Sequence, residues 1–115
     1  DQYIINGRKW FITGAAHPDC KFVVVVGRSN PEGQRTAQHS MVIVPMDTPG
    51  LRVVRSQRFM GWEDHVAPIG ELEFVNVAVP VGNLLGEENL GFRYLMQELA
   101  QERLVVAVRA AASVE

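Results

Sequence analysis

The sequence predicts a small, mainly β domain, an antiparallel sandwich or barrel, followed by the beginning of a long α-helix. Three observations carry this prediction. Short apolar, β-branched runs recur at roughly ten-residue spacing. Turn chemistry stands between them, and past Pro80 the apolar period changes from that of a strand to that of a helix. Strands at such spacing mark a sandwich or barrel, whereas an α/β fold alternates them with helices.

The first two expected strands are residues 3–5 and 9–13. Asn6-Gly7 between them reads as a two-residue hairpin turn, because both positions tolerate positive φ. The strand at 21–28 contains Phe22-Val23-Val24-Val25-Val26, whose length and β-branching suit a buried strand. Residues 40–45, 51–55, 70–75 and 77–79 complete the set. The separating turns are His17-Pro18-Asp19, Asn30-Pro31-Glu32-Gly33 and Asp47-Thr48-Pro49-Gly50. The polar stretch 33–39 is expected as a mobile hairpin tip.

After Pro80 the pattern is different. Asn83-Leu84-Leu85-Gly86 reads as a turn, and Glu87-Glu88-Asn89 sets acid and a capping side chain ahead of a helix. Phe92, Leu95, Met96, Leu99, Val106 and Ala110 then recur at helical spacing and predict one apolar stripe, with Arg93, Gln97, Glu98 and Gln101 mostly opposite. The expected division is a β-domain over 1–82, its first strand lying outside the chain, then a connecting turn and the start of a helical domain over 83–115. With no initiating methionine and no stop signal for the helix, the chain reads as a piece of a longer protein.

Composition narrows the function classes. A chain of 115 residues holds one modest core. Net charge is −2, which argues against a nucleic-acid surface. No apolar run approaches the roughly 20 residues a membrane-spanning helix needs. Cys20 is the single cysteine, so no internal disulfide forms; it fits a reducing compartment and reads as a packed thiol. No metal-ligand spacing is present.

Two places carry candidate chemistry. Strand alternation puts Phe11 and Thr13 on one face, which suits either an ordinary core strand or the wall of a flat cofactor. Glu102 and Arg103 stand on or beside the apolar stripe. Helical neighbours do not face one another, so each needs a partner from elsewhere: another segment, another subunit or a ligand. Glu102 therefore reads either as half of a structural salt bridge or as a general base beside an apolar cavity.

Taken together, the ordered segments resemble the acyl-CoA dehydrogenase family of flavoproteins over essentially the whole chain. They are Asn6-Gly7-x-Lys9-x-Phe11-Ile12-Thr13, the valine-rich strand ending Gly27-Arg28-Ser29, and Val44-Pro45-Met46-Asp47-Thr48-Pro49-Gly50-Leu51. Met60-Gly61-Trp62, Leu72-Glu73-Phe74-x-x-Val77-x-Val79-Pro80, Asn83-Leu84-Leu85-Gly86-Glu87-x-x-x-Gly91-Phe92 and Glu102-Arg103-Leu104 follow. The resemblance implies the family's middle β-barrel domain plus the start of the first helix of the C-terminal domain. It implies FAD as cofactor, with Phe11, Ile12 and Thr13 matching the family's Trp-Ile-Thr flavin segment. Phe11 replaces the usual tryptophan, keeping an apolar wall without the indole N–H. Arg103 matches an arginine that helps bind acyl-CoA, and Ser29 lies where a strand end approaches the CoA.

The same resemblance implies α,β-dehydrogenation of an acyl-CoA thioester to the trans-2-enoyl-CoA, with hydride transfer to FAD N5. Glu102 matches the catalytic base of the isovaleryl and long-chain enzymes, which carry Glu immediately before the Arg; other members carry theirs outside this region. Ala100 stands where some members have a substrate-contacting aspartate, and residues 61–70 lack the usual Ser-x-Thr element, so acyl length stays open. Expected partners are the acyl-CoA substrate, an electron-transferring flavoprotein and further copies in a dimer or tetramer. The expected compartment is the cytoplasm of a bacterium or the mitochondrial matrix. The chain by itself is expected to have little or no activity. The other readings are a non-catalytic β-barrel binding module and an acyl-CoA oxidase-type relative on the same scaffold.

Overall fold

A computed structural model describes residues 1–114. Six strands precede one long helix: β1 (Gln2–Ile12), β2 (Phe22–Arg28), β3 (His39–Pro45), β4 (Leu51–Ser56), β5 (Gly70–Pro80), β6 (Leu84–Leu85) and α1 (Gly91–Ala112). They form two three-stranded sheets in the orders β1-β5-β4 and β2-β3-β6. Neither closes into a barrel, so of the two expected forms the small sandwich is the one observed. The chain divides into two compact units. One comprises Asp1–Val25 with Val42–Leu84, the other Val26–Met41 with Leu85–Glu115. Helix α1 thus groups with the β2–β3 excursion.

The first unit holds the core. Val23 and Val25 of β2, Val42 and Val44 of β3, and Leu72, Phe74, Val77 and Val79 of β5 are buried, together with Ala15. Burying each of the valine, leucine and phenylalanine side chains contributes roughly 1.5–3 kcal/mol. On β5 the inward positions change from even (Leu72, Phe74) to odd (Val77, Val79). The change is made by a bulge: Asn76 takes φ +50°, and the β1 pairing shifts between Ile5↔Val77 and Gly7↔Phe74.

That bulge corrects an expectation. Asn6-Gly7 is no hairpin turn; β1 runs straight through it, paired antiparallel with β5 from Gln2↔Pro80 to Ile12↔Gly70. The Asn6 side-chain oxygen accepts a hydrogen bond from the Asn76 backbone amide at 2.7 Å. A turn-forming pair has been used to satisfy a bulge on the partner strand. Likewise 70–75 and 77–79, expected as separate strands, are one strand.

In the second unit, the stretch expected as a mobile tip holds a 3₁₀ turn at Arg35–Ala37. The amides of Ser29 and Asn30 both donate to the Gln38 carbonyl, and the Gln38 side chain donates to Pro31 and Gly33. Helix α1 is capped by Leu90 without any side-chain hydrogen bond. Asn89, expected as the cap, instead takes φ +66° and bonds elsewhere. The single apolar stripe is also corrected. Leu104, Val105, Val106 and Val108 cover successive directions and are all exposed, so the helix is apolar around most of its circumference there.

Candidate functional site

The end of β1 builds the first candidate surface. Pairing with β5 shifts register between Lys9↔Leu72 and Ile12↔Gly70, and Phe11 sits in that shift at φ +59°. A bulky aromatic residue in the left-handed region is strained and costs on the order of 1–3 kcal/mol. Alternation therefore does not hold across these residues. Trp10 and Phe11 end on adjacent positions of one aromatic surface, ring centroids 4.3 Å apart and planes tilted by 31°. They are 57% and 51% exposed. Thr13 lies beyond the strand, exposed in the turn that follows.

The three residues expected to act together consequently open onto two concavities. Phe11 borders one of about 430 Å³ with Trp10, Arg55, Ser56, Gln57, Arg58 and Phe59. Ile12 and Thr13 border another of about 520 Å³ with Gly14, His17 and Cys20. Cys20 is partly buried against the core, as expected, with its thiol 3.5 Å from the Phe22 carbonyl oxygen.

Phe59 and Gln57 were not anticipated. The Phe59 ring lies 5.6 Å from that of Phe11. It opens a tight turn in which Phe59 and Trp62 exchange backbone hydrogen bonds at 2.8 Å. Met60 and Gly61 both take positive φ (+50° and +85°), which defines a type I′ turn. Gly61 flanked by aromatic residues was the available signal. Beside it, the Glu63 carboxyl is held below its usual range, first by a hydrogen bond from Ser56 and then by Arg58. Gln57 is 7% exposed, and neither its Nε2 nor its Oε1 has a hydrogen-bond partner. A buried amide without partners is costly, so it calls for an explanation.

The strands carrying this surface are tied by charge. Buried Glu71 on β5 accepts from Arg8 Nη2 of β1 at 2.6 Å and from Arg55 Nε of β4 at 2.7 Å. Glu73 accepts from Arg52 Nε at 2.6 Å. Each carboxylate on the central strand thus clamps one or both neighbours, fixing β1 relative to β4 where the aromatic surface begins.

The second candidate surface belongs to α1. Glu102, Glu98, Leu99 and Leu95 recur at helical spacing along an apolar concavity of about 570 Å³, whose other walls include Met41, Leu85 and Tyr94. The Tyr94 hydroxyl accepts from the Glu87 amide at 3.0 Å. Gly86 lies so close that a Cβ there would come within 2.5 Å of the Tyr94 ring. Arg103 is exposed on α1 and is not among the residues lining that concavity. Neither Glu102 nor Arg103 has an ion-pair partner among the described residues.

Ser29, at the end of β2, belongs to a closed ring of hydrogen bonds. The Asn89 amide donates to Ser40 Oγ at 2.8 Å, and Ser29 Oγ donates to Asn89 Oδ1 at 2.7 Å. The 2.6 Å Ser29–Ser40 contact then takes Ser40 as donor. This ring is what holds Asn89 in its left-handed conformation ahead of α1.

Exposed aromatic faces beside an unpartnered amide fit a flat heterocycle with a polar edge. Among the described residues no helix is long and apolar enough to cross a membrane, and no cluster of side chains could hold a metal ion.

Comparison with known proteins converges on one family. A family model described as the middle domain of acyl-CoA dehydrogenase matches residues 1–77. The chain is 46% identical over 113 residues to "Probable acyl-CoA dehydrogenase FadE2" of Mycobacterium tuberculosis, covering 98% of this chain and 28% of that protein. It is 42% identical over 106 residues to human "Acyl-CoA dehydrogenase family member 11", covering 90% of this chain and 13% of that one. Among solved structures, an acyl-CoA dehydrogenase from Geobacillus kaustophilus superposes with a TM-score of 0.84 at 41% identity, covering 94% of this chain and 28% of that one. The chain thus spans between about one eighth and somewhat more than a quarter of the length of these relatives.

Proposed function

This chain belongs to the acyl-CoA dehydrogenase family through its middle domain, and from that premise we propose that it forms the cofactor wall and part of the substrate site of a flavin-dependent acyl-CoA dehydrogenase. The reaction is dehydrogenation of an acyl-CoA thioester to the trans-2-enoyl-CoA. The family implies a flavin, and FAD is the form proposed here. When bound, the flavin supplies the acceptor for the two electrons removed from substrate.

The chain's own residues divide the remaining work. Trp10 and Phe11, with half-buried Phe59 beside them, offer an apolar face to the ring system. Ile12 and Thr13 follow directly, Thr13 with an exposed hydroxyl able to donate to a polar ring edge. Glu102, on the rim of an apolar concavity, takes the α-proton of the thioester on a carboxylate oxygen. Arg103 pairs with CoA phosphate, for which a guanidinium is suited. Ser29 Oγ has already donated its proton to Asn89, so it meets the CoA as an acceptor for an amide N–H. Holding base, substrate and acceptor in line supplies much of the rate. Electrons then pass to an electron-transferring flavoprotein, and the complete enzyme works as a dimer or tetramer where acyl-CoA is available, in the bacterial cytoplasm or the mitochondrial matrix.

The observation that carries the catalytic assignment is Glu102 beside an apolar concavity with no cation paired to it among the described residues. In the complete polypeptide, Glu102→Gln should slow anaerobic bleaching of the flavin by acyl-CoA by about 10²–10⁴-fold. Unchanged reduction would remove Glu102 from the mechanism and assign the base to another carboxylate.

A further inference from the structure

We propose that the side-chain amide of Gln57 hydrogen-bonds the imide edge of the flavin ring, making it a cofactor-orienting residue of the subsite walled by Phe11. The proposal rests on the flavin reading above and begins from an anomaly. Gln57 follows β4, its backbone amide donating to the Ile69 carbonyl at 2.8 Å. The residue is buried, and both polar atoms of its side chain are unpartnered. Burying one orphaned donor and one orphaned acceptor together is the arrangement native proteins avoid most consistently.

The surroundings indicate what satisfies it. Gln57 lines the same concavity as the Trp10, Phe11 and Phe59 rings. An aromatic wall selects a planar ring, and an amide selects an edge that presents a donor beside an acceptor. A phosphate offers acceptors alone and would leave Oε1 unpaired. The flavin imide, N3–H flanked by two carbonyls, matches both amide atoms. The two arginines of the concavity are already engaged, Arg55 with Glu71 at 2.7 Å and Arg58 with Glu63 at 3.1 Å. Their guanidinium groups keep further N–H donors but offer no acceptor, so the amide is the buried group of this lining that presents a donor beside an acceptor. Neither of its atoms is open to solvent, so entry of the ring edge requires a rotamer change in the lining. Trp10, more than half exposed, has the room to make it.

An adenine edge also sets a donor beside an acceptor, so the test separates the two ends of FAD. The complete enzyme is stripped of cofactor and titrated with FAD and with N3-methyl-FAD, which differ only at the imide. Wild type should bind FAD about tenfold more tightly, as expected for one hydrogen bond. Gln57→Met, of similar length without the amide, should bring that ratio close to one. The same ratio in Gln57→Met and wild type overturns the proposal, and so does equal affinity for both flavins in wild type. Should Gln57→Met fail to fold, FAD labelled with ¹⁵N at N3 in the wild-type enzyme decides: a hydrogen-bonded N3–H supports the proposal, and a solvent-like one overturns it. Wild type that binds neither flavin sinks the flavin reading itself. Tight FAD binding with an unchanged ratio removes Gln57 alone.

Discussion

Phe11 and Gly50 show how backbone conformation, more than side-chain type, shapes this molecule. Phe11 takes φ +59°, a conformation in which a β-branched residue is strained further. Phe11→Val should lower the stability of the chain by on the order of 2 kcal/mol in urea denaturation, and stability equal to wild type would show the strain to be absent. Phe11→Gly relieves the backbone but deletes the ring; it should keep stability within about 1 kcal/mol while weakening FAD retention in the complete enzyme. Gly50 has φ +89°, and a Cβ there would collide with the Val75 carbonyl oxygen. Gly50→Ala should therefore cost on the order of 3 kcal/mol, measured the same way. The two residues differ in how readable they were. Gly50 closes the Asp47-Thr48-Pro49-Gly50 turn, a local signal that the sequence states openly. The conformation of Phe11 follows from its register against Gly70 and Leu72, nearly sixty positions away, and no local pattern encodes that.

At the scale of elements, β5 organises the first sheet. It pairs with β1 on one side and β4 on the other, and its glutamates bind arginines from both. Glu71 is buried and shared by Arg8 and Arg55, whereas Glu73 is more open and held mainly by Arg52. Glu71→Ala should cost roughly 1–3 kcal/mol, because it removes two charge-assisted hydrogen bonds at once. Glu73→Ala, by contrast, should cost under about 1 kcal/mol. Equal losses in urea denaturation would contradict this ranking. The strands themselves were readable from β-branched runs and turns, with edges within a few residues. What misled was Asn6-Gly7. That pair satisfies a hairpin and a bulge equally well, and the deciding partner, Asn76, is distant in sequence. For α1, position was readable and facing was not. Leu104-Val105-Val106 continues the helix while erasing the contrast between its sides.

At the scale of the whole molecule, the candidate site was readable as residue types and less so as an arrangement. Glu102 and Arg103 stood out because charges interrupt an apolar helix. Gln57 did not, since burial of an amide is invisible without the fold. The exposed apolar girth of α1 carries its own expectation. Leu104 and Val106 are 65% and 66% exposed, so the 115-residue chain should associate with itself as concentration rises. Leu104→Glu with Val108→Glu should return it to a monomer in sedimentation velocity; a wild type that stays monomeric throughout would contradict the expectation.

The pairing of β1 with β5 also has a meaning in time. A ribosome delivers β1 before β5, and that partner strand begins only at Gly70, roughly sixty residues after Ile12. At about 5–20 residues per second, β1 waits several seconds as an unpaired strand with Tyr3, Ile4 and Ile5 uncovered. Its charged residues, Arg8 and Lys9, oppose association with neighbouring chains during that interval. The same Arg8 later closes onto Glu71, so one side chain protects the nascent strand and then locks it in place.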